Sequence, residues 1–599
     1  MRTTVLRRLT NPSWISAVVV LCVALGAAPP QTPQSVFESA TPPRPAGQLD
    51  RIVFAKLAAL GIQPVLCSDA VFVRRAYLDV IGTMPTADEV RKFIEDPDAK
   101  NKRRLLVERL LARDEFADYW AMKWGDILRI KAEFPVNLWP NAAQAYHRWV
   151  RQSIAENKPY DKFVREMLTS SGSNFRVGPV NFYRAIQDHT PDNIAAAVAL
   201  AFMGSRVESW PKGALPGMAA FFSQIGYKPT GEWKEELVFW DPLHYSSLPG
   251  YTVPGRDAPG PSAPNAVASK AAAKKSKAVP KVAAPTAPPP QAAPRLPATP
   301  APLMAVFLDG TKIQLPSSRD PREVFADWLI NAKNPWFARS IVNRVWGWLL
   351  GRGIVHEPDD IRKDNPPSNP ALLAYLEKEL IASHYDLKHL YRLILESNTY
   401  QFSSVPHFKG PQAEANFAAY PLRRLDAEVL IDAINSITGA SDLYTSAIPE
   451  PFTYIPQDKP AIAIADGSIT SPFLALFGRS ARATGMENER INKPVPAQWL
   501  HMLNSSHIQR KLEQGPKFKA ILQSGEKPAK IVERLYLTIL SRFPTADEVQ
   551  NAKEYGKFAA PAKAGKSRKA NMSVWVQRHD DWIDIAWALI NSTEFLYRH

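Results

Sequence analysis

The sequence predicts a mainly α-helical protein, built as two helical domains joined by a disordered Pro/Ala/Lys-rich linker, with a duplicated helix–turn–helix module and few short strands. Three observations carry this expectation. Apolar residues recur at helical spacing beside capping signals. One long tract holds too few apolar side chains to fold. One segment of the chain occurs twice. With 599 residues, 45% of them hydrophobic and 22% charged, the chain can bury an ample core but exceeds one ordinary domain.

Residues 1–28 read as a secretory signal peptide. A basic start with Arg2, Arg7 and Arg8 precedes an apolar run from Trp14 to Leu25, and the small residues Gly26, Ala27 and Ala28 come just before Pro29. The run is too short for a membrane span. Leu21 before Cys22 is the wrong residue for lipid-anchor processing, which wants a small side chain there. The expectation is an exported protein, periplasmic or on the cell surface, with no transmembrane segment after signal cleavage. Cys67 is then the only thiol left. It allows no intrachain disulfide, thiolate zinc cluster or iron–sulfur site, and reads as a buried, inert side chain.

The first helical domain is placed at 49–255. It opens with RAYLDVIGTMPTADEV, Arg75 to Val90, which returns as RLYLTILSRFPTADEV, Arg534 to Val549. In each copy a proline, Pro85 or Pro544, ends one helix. Thr86 with Glu89, and Thr545 with Glu548, then form capping boxes that start the next. Capping accounts for these carboxylates without catalysis. Both copies are followed by a helical run ending in Glu-Phe, at Phe116 and Phe595. Trp120 and Trp124, four residues apart, read as core residues rather than as sugar-stacking platforms.

Residues 256–302 read as the linker, since Pro, Ala and Lys dominate and aromatic residues are almost missing. A tether of this kind would give the domains independent reach. It also holds several of the positive charges behind the formal net charge of +15, so the folded surface is less basic than the total. The second domain, 303–599, begins with a brief strand pair around Ala305 to Leu315, turned at Asp309-Gly310. Asn369 and Pro370 then open a helix carrying Leu372, Leu373, Leu376 and Leu380. Lys388 to Tyr400 and Pro421 to Gly439 are further amphipathic helices, and Ala559 to Ala570 reads as a basic surface loop.

The densest polar constellation is GRGIVHEPDDIRKDNPPS, with His356, Glu357, Asp359, Asp360 and Asp364 after Arg352. His356, Asp359, Asp360 and Asp364 are the candidates for acid–base catalysis, because close carboxylates shift one another's pKa. Glu357, Asp359 and Asp360 are the candidates for holding a hard cation such as calcium. The spacing fits no standard loop, and a solvated connector whose acids cap nearby helices explains it as well. Arg423, Arg424, Asp426 and Glu428 read either as a binding site or as a helix start with local ion pairs. His384 and His389, five apart, do not share a helix face and read as separate side chains. Gly-x-Ser-x-Gly, His-Glu-x-x-His and Gly-x-Gly-x-x-Gly are all missing, which removes the local signatures of lipase-type, zincin and Rossmann chemistry.

Long ordered runs carry a family resemblance. In the first segment these are RRAYLDVIGTMPT, DEFADYWAMKWGDILR, NKPYDKFVREML and AFMGSRVES. In the second they are WFARSIVNRVWGWLLGRGIVHEPDDIRKDNPPSNPALLAYL, LILESNTYQFSS, RRLDAEVLIDAI, FLALFGRSAR and ALINSTEFLYRH. The chain resembles secreted planctomycete-type proteins in which a cytochrome-like domain, domain of unknown function 1549, precedes domain of unknown function 1553. The resemblance marks Arg75, Asp79, Asn343, Arg344, Arg352, Asn365, Pro366 and Ser368 as motif residues. Similar proteins carry a Cys-x-x-Cys-His-x-His-Pro segment for haem or metal, whereas here Phe202 to Ser209 runs into Trp210-Pro211-Lys212 without cysteine or histidine. Thioether attachment needs both thiols and an imidazole, so no covalent haem and no other cofactor is expected.

The expected function is a secreted, non-catalytic binding or scaffold protein of the cell envelope that has lost the haem motif. Its partners would be an anionic polysaccharide or a separate envelope protein, and not nucleic acid. The alternatives are an extracellular polysaccharide-processing enzyme centred on His356 to Asp364, or a docking partner of a separate cytochrome.

Overall fold

The computed structural model describes residues 35–243, 303–455, 458–558 and 568–599. The expected signal peptide at 1–28, the expected linker at 256–302, the last residues assigned to the first domain and most of the expected Ala559–Ala570 loop lie outside the described residues. The described chain is mainly helical with few short strands, as the periodicity predicts. Among the described residues, no helix is long and apolar enough to cross a membrane.

Both copies of the repeat form as the local chemistry dictates. Ser68 caps helix Asp69–Val80 by accepting from the Val71 amide at 3.3 Å. Helix Ala87–Ile94 starts with a complete capping box: the Thr86 amide donates to Glu89 at 2.8 Å, and the Glu89 amide donates to the Thr86 hydroxyl at 3.3 Å. In the second copy the Thr545 amide donates to Glu548 at 2.7 Å and the Glu548 amide to the Thr545 hydroxyl at 3.2 Å. The copies also meet: Arg91 pairs with Glu533 at 2.6 Å, and the buried Arg74 donates to the Ile539 carbonyl at 3.0 Å.

Three small antiparallel sheets accompany the helices. Glu236–Trp240 lies between Gly172–Ser173 and Ile225–Pro229. Met304–Val306 pairs with Lys312–Gln314, with Ala305 opposite Ile313, which is the hairpin expected around Asp309-Gly310. Arg423–Arg424 pairs with Tyr597–Arg598.

One continuous apolar core runs through both helical segments. The Cys67 amide donates to the Gln401 carbonyl at 2.8 Å and the Ser403 amide to the Val65 carbonyl at 2.7 Å. Arg75 donates to the carbonyls of His599 at 2.9 Å, Tyr400 at 2.6 Å and Phe402 at 2.9 Å. Asp79 accepts from the hydroxyls of Tyr400 at 2.9 Å and Tyr420 at 2.7 Å and from Arg598 at 3.2 Å. These charges are buried, and a buried charge is tolerated only when it is paired and hydrogen-bonded. The interlock corrects the expectation of independent reach, because each segment satisfies the other's buried polar groups.

Candidate functional site

The motif residues of the second segment hold a loop in place. Helix Phe337–Leu350 ends at Gly351, whose φ of +71° is a left-handed cap that suits glycine. Asn343 grips the loop that follows: its Nδ2 donates to the Val355 carbonyl at 2.9 Å and its Oδ1 accepts from the Val355 amide at 2.8 Å. Asn365 donates to the carbonyls of His356 and Asp360, both at 2.9 Å, and the Ser368 amide donates to the Ile354 carbonyl at 2.8 Å. Arg352 is half-buried on the same loop and Pro366 is exposed. Arg344 is fully buried. It donates to the carbonyls of Leu200 at 3.1 Å and Ala201 at 2.7 Å and pairs with Asp359 at 2.6 Å.

That architecture separates the acids that the sequence clusters. Asp359 points inward to Arg344 and accepts from the Glu487 amide at 2.8 Å. Asp360 and Asp364 turn outward to Arg362, each at 3.1 Å, while Glu357 pairs with Arg206 at 3.0 Å. His356 keeps much of its surface in solvent, and partial desolvation of its ring with Arg352 nearby lowers its pKa. The shared cation or acid–base centre expected of His356, Glu357, Asp359, Asp360 and Asp364 is therefore not formed. Each acid is already paired with an arginine, Asp360 and Asp364 sharing Arg362. Among the described residues, no three His, Cys, Asp or Glu side chains are grouped to hold a metal ion.

His356, Glu357 and Asp359 instead line a cleft of about 820 Å³ together with Lys123, Asp126 and Asp426. A largely buried ion network runs through its lining. Arg490 bridges Asp126 at 2.8 Å and Glu428 at 2.6 Å, and Arg482 adds a second contact to Asp126 at 3.0 Å. Gly125 lets Arg482 lie against its helix, since a Cβ there would stand 3.0 Å from the guanidinium carbon. Asp426 accepts from Lys123 at 2.9 Å and Arg598 at 2.8 Å. Of the two readings offered for Arg423, Arg424, Asp426 and Glu428, the local ion pairs are not formed, because Asp426 and Glu428 pair with Lys123, Arg479, Arg490 and Arg598, all far along the chain.

Burial alone would raise both carboxyls, but the facing cations outweigh it. Asp426 is held well below the usual carboxylate range, and Glu428 down to about 2. Glu487 behaves oppositely. It is half-buried, its Oε2 has no hydrogen-bond partner, and burial together with the nearby Asp359 pushes its carboxyl up to about 7.

Residues 48–209 match the family described as PSCyt2, Protein of unknown function (DUF1549), and residues 321–556 match PSD1, Protein of unknown function (DUF1553). The chain belongs to this PSCyt2–PSD1 family. No curated protein and no solved structure matches it. In PSCyt2–PSD1 terms, Arg75 and Asp79 are the PSCyt2 residues that anchor the other segment, and Asn343 and Arg344 are PSD1 residues that hold the PSD1 loop against PSCyt2 backbone.

A second cleft, of about 620 Å³, is lined by PSCyt2 residues Asn141, Gln144 and Arg148 and by PSD1 residues Tyr444, Phe452 and Tyr454. Tyr454 is 76% exposed, Phe452 48% and the neighbouring Trp233 62%. Phe452 packs with Trp139 and Trp233 at ring-centroid distances of 5.7 and 5.8 Å. Arg148, Arg176 and Lys459 add exposed cations, Arg176 also standing 3.5 Å from Glu235. Deeper in, Asp466 accepts from the amides of Ala132 at 2.9 Å and Ser468 at 2.8 Å through Oδ1. Its Oδ2 and the Tyr444 hydroxyl are buried without a partner, and burial raises both groups' pKa.

Trp120 and Trp124 are core residues, as their spacing predicts, and so is Trp346. Trp233, Phe452 and Tyr454 escaped that reading. The signal that could have found them is aromatic residues outside any helical period, in the turn-rich stretches TGEWKEE and PEPFTYIP.

Proposed function

We propose that the protein works outside the cytoplasm as a non-catalytic binding protein for acidic polysaccharide, which it takes into the aromatic-rimmed cleft. The observation that carries this reading is the exposed set Trp233, Phe452 and Tyr454 beside Arg148 and Lys459. Sugar rings lay their C–H faces on exposed aromatic rings, while carboxylate or sulfate groups pair with guanidinium and ammonium. The basic balance of the chain supports an anionic ligand, and the reading of residues 1–28 supports export. The proposed role involves no covalent haem, and the lack of cysteine and histidine from Phe202 to Trp210 supports that part. The test is binding of the purified protein to a uronic-acid polymer, a sulfated polymer and a neutral one. Acidic polymers should bind, and Trp233→Ala and Lys459→Ala should each weaken them about tenfold. Unchanged binding in both variants, or equal binding of the neutral polymer, sinks the reading.

One observation favours a second reading, that of a polysaccharide-processing enzyme. In the charged cleft Glu487, raised to about 7, stands beside Asp359, and a carboxyl that keeps its proton near neutral pH suits a general acid. Depolymerisation of an acidic glycan that is lost in Glu487→Gln would favour it over simple binding.

A further inference from the structure

A third cleft, about 530 Å³ in volume, lies among Asp442, Ser471, Phe473, His501, His507 and Lys511. His501 sits on helix Pro496–Asn504 and His507 on helix Ser506–Gln514. Six positions along one unbroken helix lie about 240° apart, on different faces. The break at Ser505 changes this. Its hydroxyl accepts from the His507 amide at 3.0 Å and starts the second helix in a new direction. The imidazoles then face each other, with His507 Nδ1 3.5 Å from His501 Nε2.

The remaining nitrogen of His507 is fixed. Nε2 lies 2.8 Å from Asp442 Oδ1, so it carries the proton and leaves the Nδ1 lone pair turned toward His501. Asp442 is itself held by Lys511 at 3.2 Å and Asn435 at 3.3 Å. Lys511 is further committed to Asn435 Oδ1 at 2.7 Å and the Ser441 carbonyl at 2.9 Å. The rings of Phe473 and Phe477 pack on the His501 imidazole at 5.6 and 6.1 Å between centroids.

We infer that His501 Nε2 and His507 Nδ1 form a two-imidazole site for a divalent transition-metal ion of the zinc, copper or nickel class. An ion about 2.1 Å from each nitrogen would subtend an angle of about 110° across their 3.5 Å separation, which is near tetrahedral. Imidazole selects this class over calcium or magnesium, which want oxygen ligands. Asp442 plays the orienting carboxylate that a metal-bound histidine usually has behind it. The open cleft leaves room for water or an anionic group to complete the coordination.

The experiment is calorimetric titration of the chelator-stripped full chain with Zn2+, joined to electron paramagnetic resonance of the same protein loaded with Cu2+. One equivalent of Zn2+ should bind. His501→Gln should weaken it at least tenfold, and Asp442→Asn about tenfold, while His407→Gln leaves it unchanged. The Cu2+ spectrum of the unsubstituted protein should show nitrogen hyperfine structure from two imidazoles, a result that does not depend on any variant folding. No Zn2+ uptake above that of the His501→Gln/His507→Gln double variant, or a Cu2+ spectrum without nitrogen coupling, overturns the site and leaves a hydrogen-bonded histidine pair.

Discussion

Asp79 and Arg598 form a buried ion pair, 3.2 Å apart and separated by 519 positions in sequence, and the same carboxylate accepts from two tyrosine hydroxyls. Removing one partner of such a pair leaves an uncompensated charge in the core. Asp79→Ala should therefore cost about 3–5 kcal/mol in a denaturant titration. Asp79→Asn, which keeps the shape but loses the charge, should also destabilise. A loss below about 1 kcal/mol would show that the pair is not buried in solution.

Because the two segments satisfy each other's buried groups, they should associate without a covalent link. Residues 29–243 and 303–599, produced as separate polypeptides in one cell, are expected to purify together. Arg75→Ala in the first piece should weaken that association, since it removes three hydrogen bonds to carbonyls of the second. Recovery of two monomeric, folded pieces would contradict the shared core.

The raised carboxyl of Glu487 sets a pH dependence with a definite sign. Its folded pKa, about 7, exceeds the ordinary value of 4.5, so between these values the folded protein holds a proton that the unfolded chain has lost. Its contribution to stability is complete below about pH 4.5 and falls as pH rises through about 7. Glu487→Gln lacks that loss. Relative to the unsubstituted protein, the variant should gain about 1–2 kcal/mol between pH 5 and pH 8, the half-exposure of the group keeping the figure small. Thermal unfolding of both proteins across this range checks it, and parallel curves would place the carboxyl in ordinary solvent.

The two capping boxes should differ in strength. Glu89 caps from a partly exposed position beside Arg113 at 3.1 Å. Glu548 also takes two contacts from Arg542, at 2.7 and 2.8 Å, and Arg542 goes on to Glu594. Glu89→Ala should cost about 1 kcal/mol, and Glu548→Ala measurably more, in the same equilibrium unfolding assay.

Much of the fold was readable because its causes are local. The prolines and threonines at 85–86 and 544–545, the Asn369 cap and the Asp309-Gly310 turn each act within a few residues, so a window of sequence contains the whole interaction. The site was less readable for the opposite reason. Acidic residues crowded between 356 and 364 say nothing about which way each one faces, and only the placement of Arg344 and Arg362 decides that Asp359 turns in and Asp364 turns out. Glu487 owes its raised pKa to burial and to Asp359, 128 positions away, neither of which a window of sequence contains. Periodicity identified the buried tryptophans but was blind to Trp233 and Tyr454, which belong to no repeating face.

The carbonyl oxygens that receive Arg74 and Arg75 belong to the second segment, among them those of Tyr400, Phe595 and His599. During synthesis these acceptors emerge long after the helix that needs them. Until then helix Asp69–Val80 must keep two guanidinium groups hydrated and cannot settle into its final packing. That helix can thus complete its packing only after the second segment has been synthesised, and a product cut short before it would stay open to proteases and to any chaperone that accompanies it.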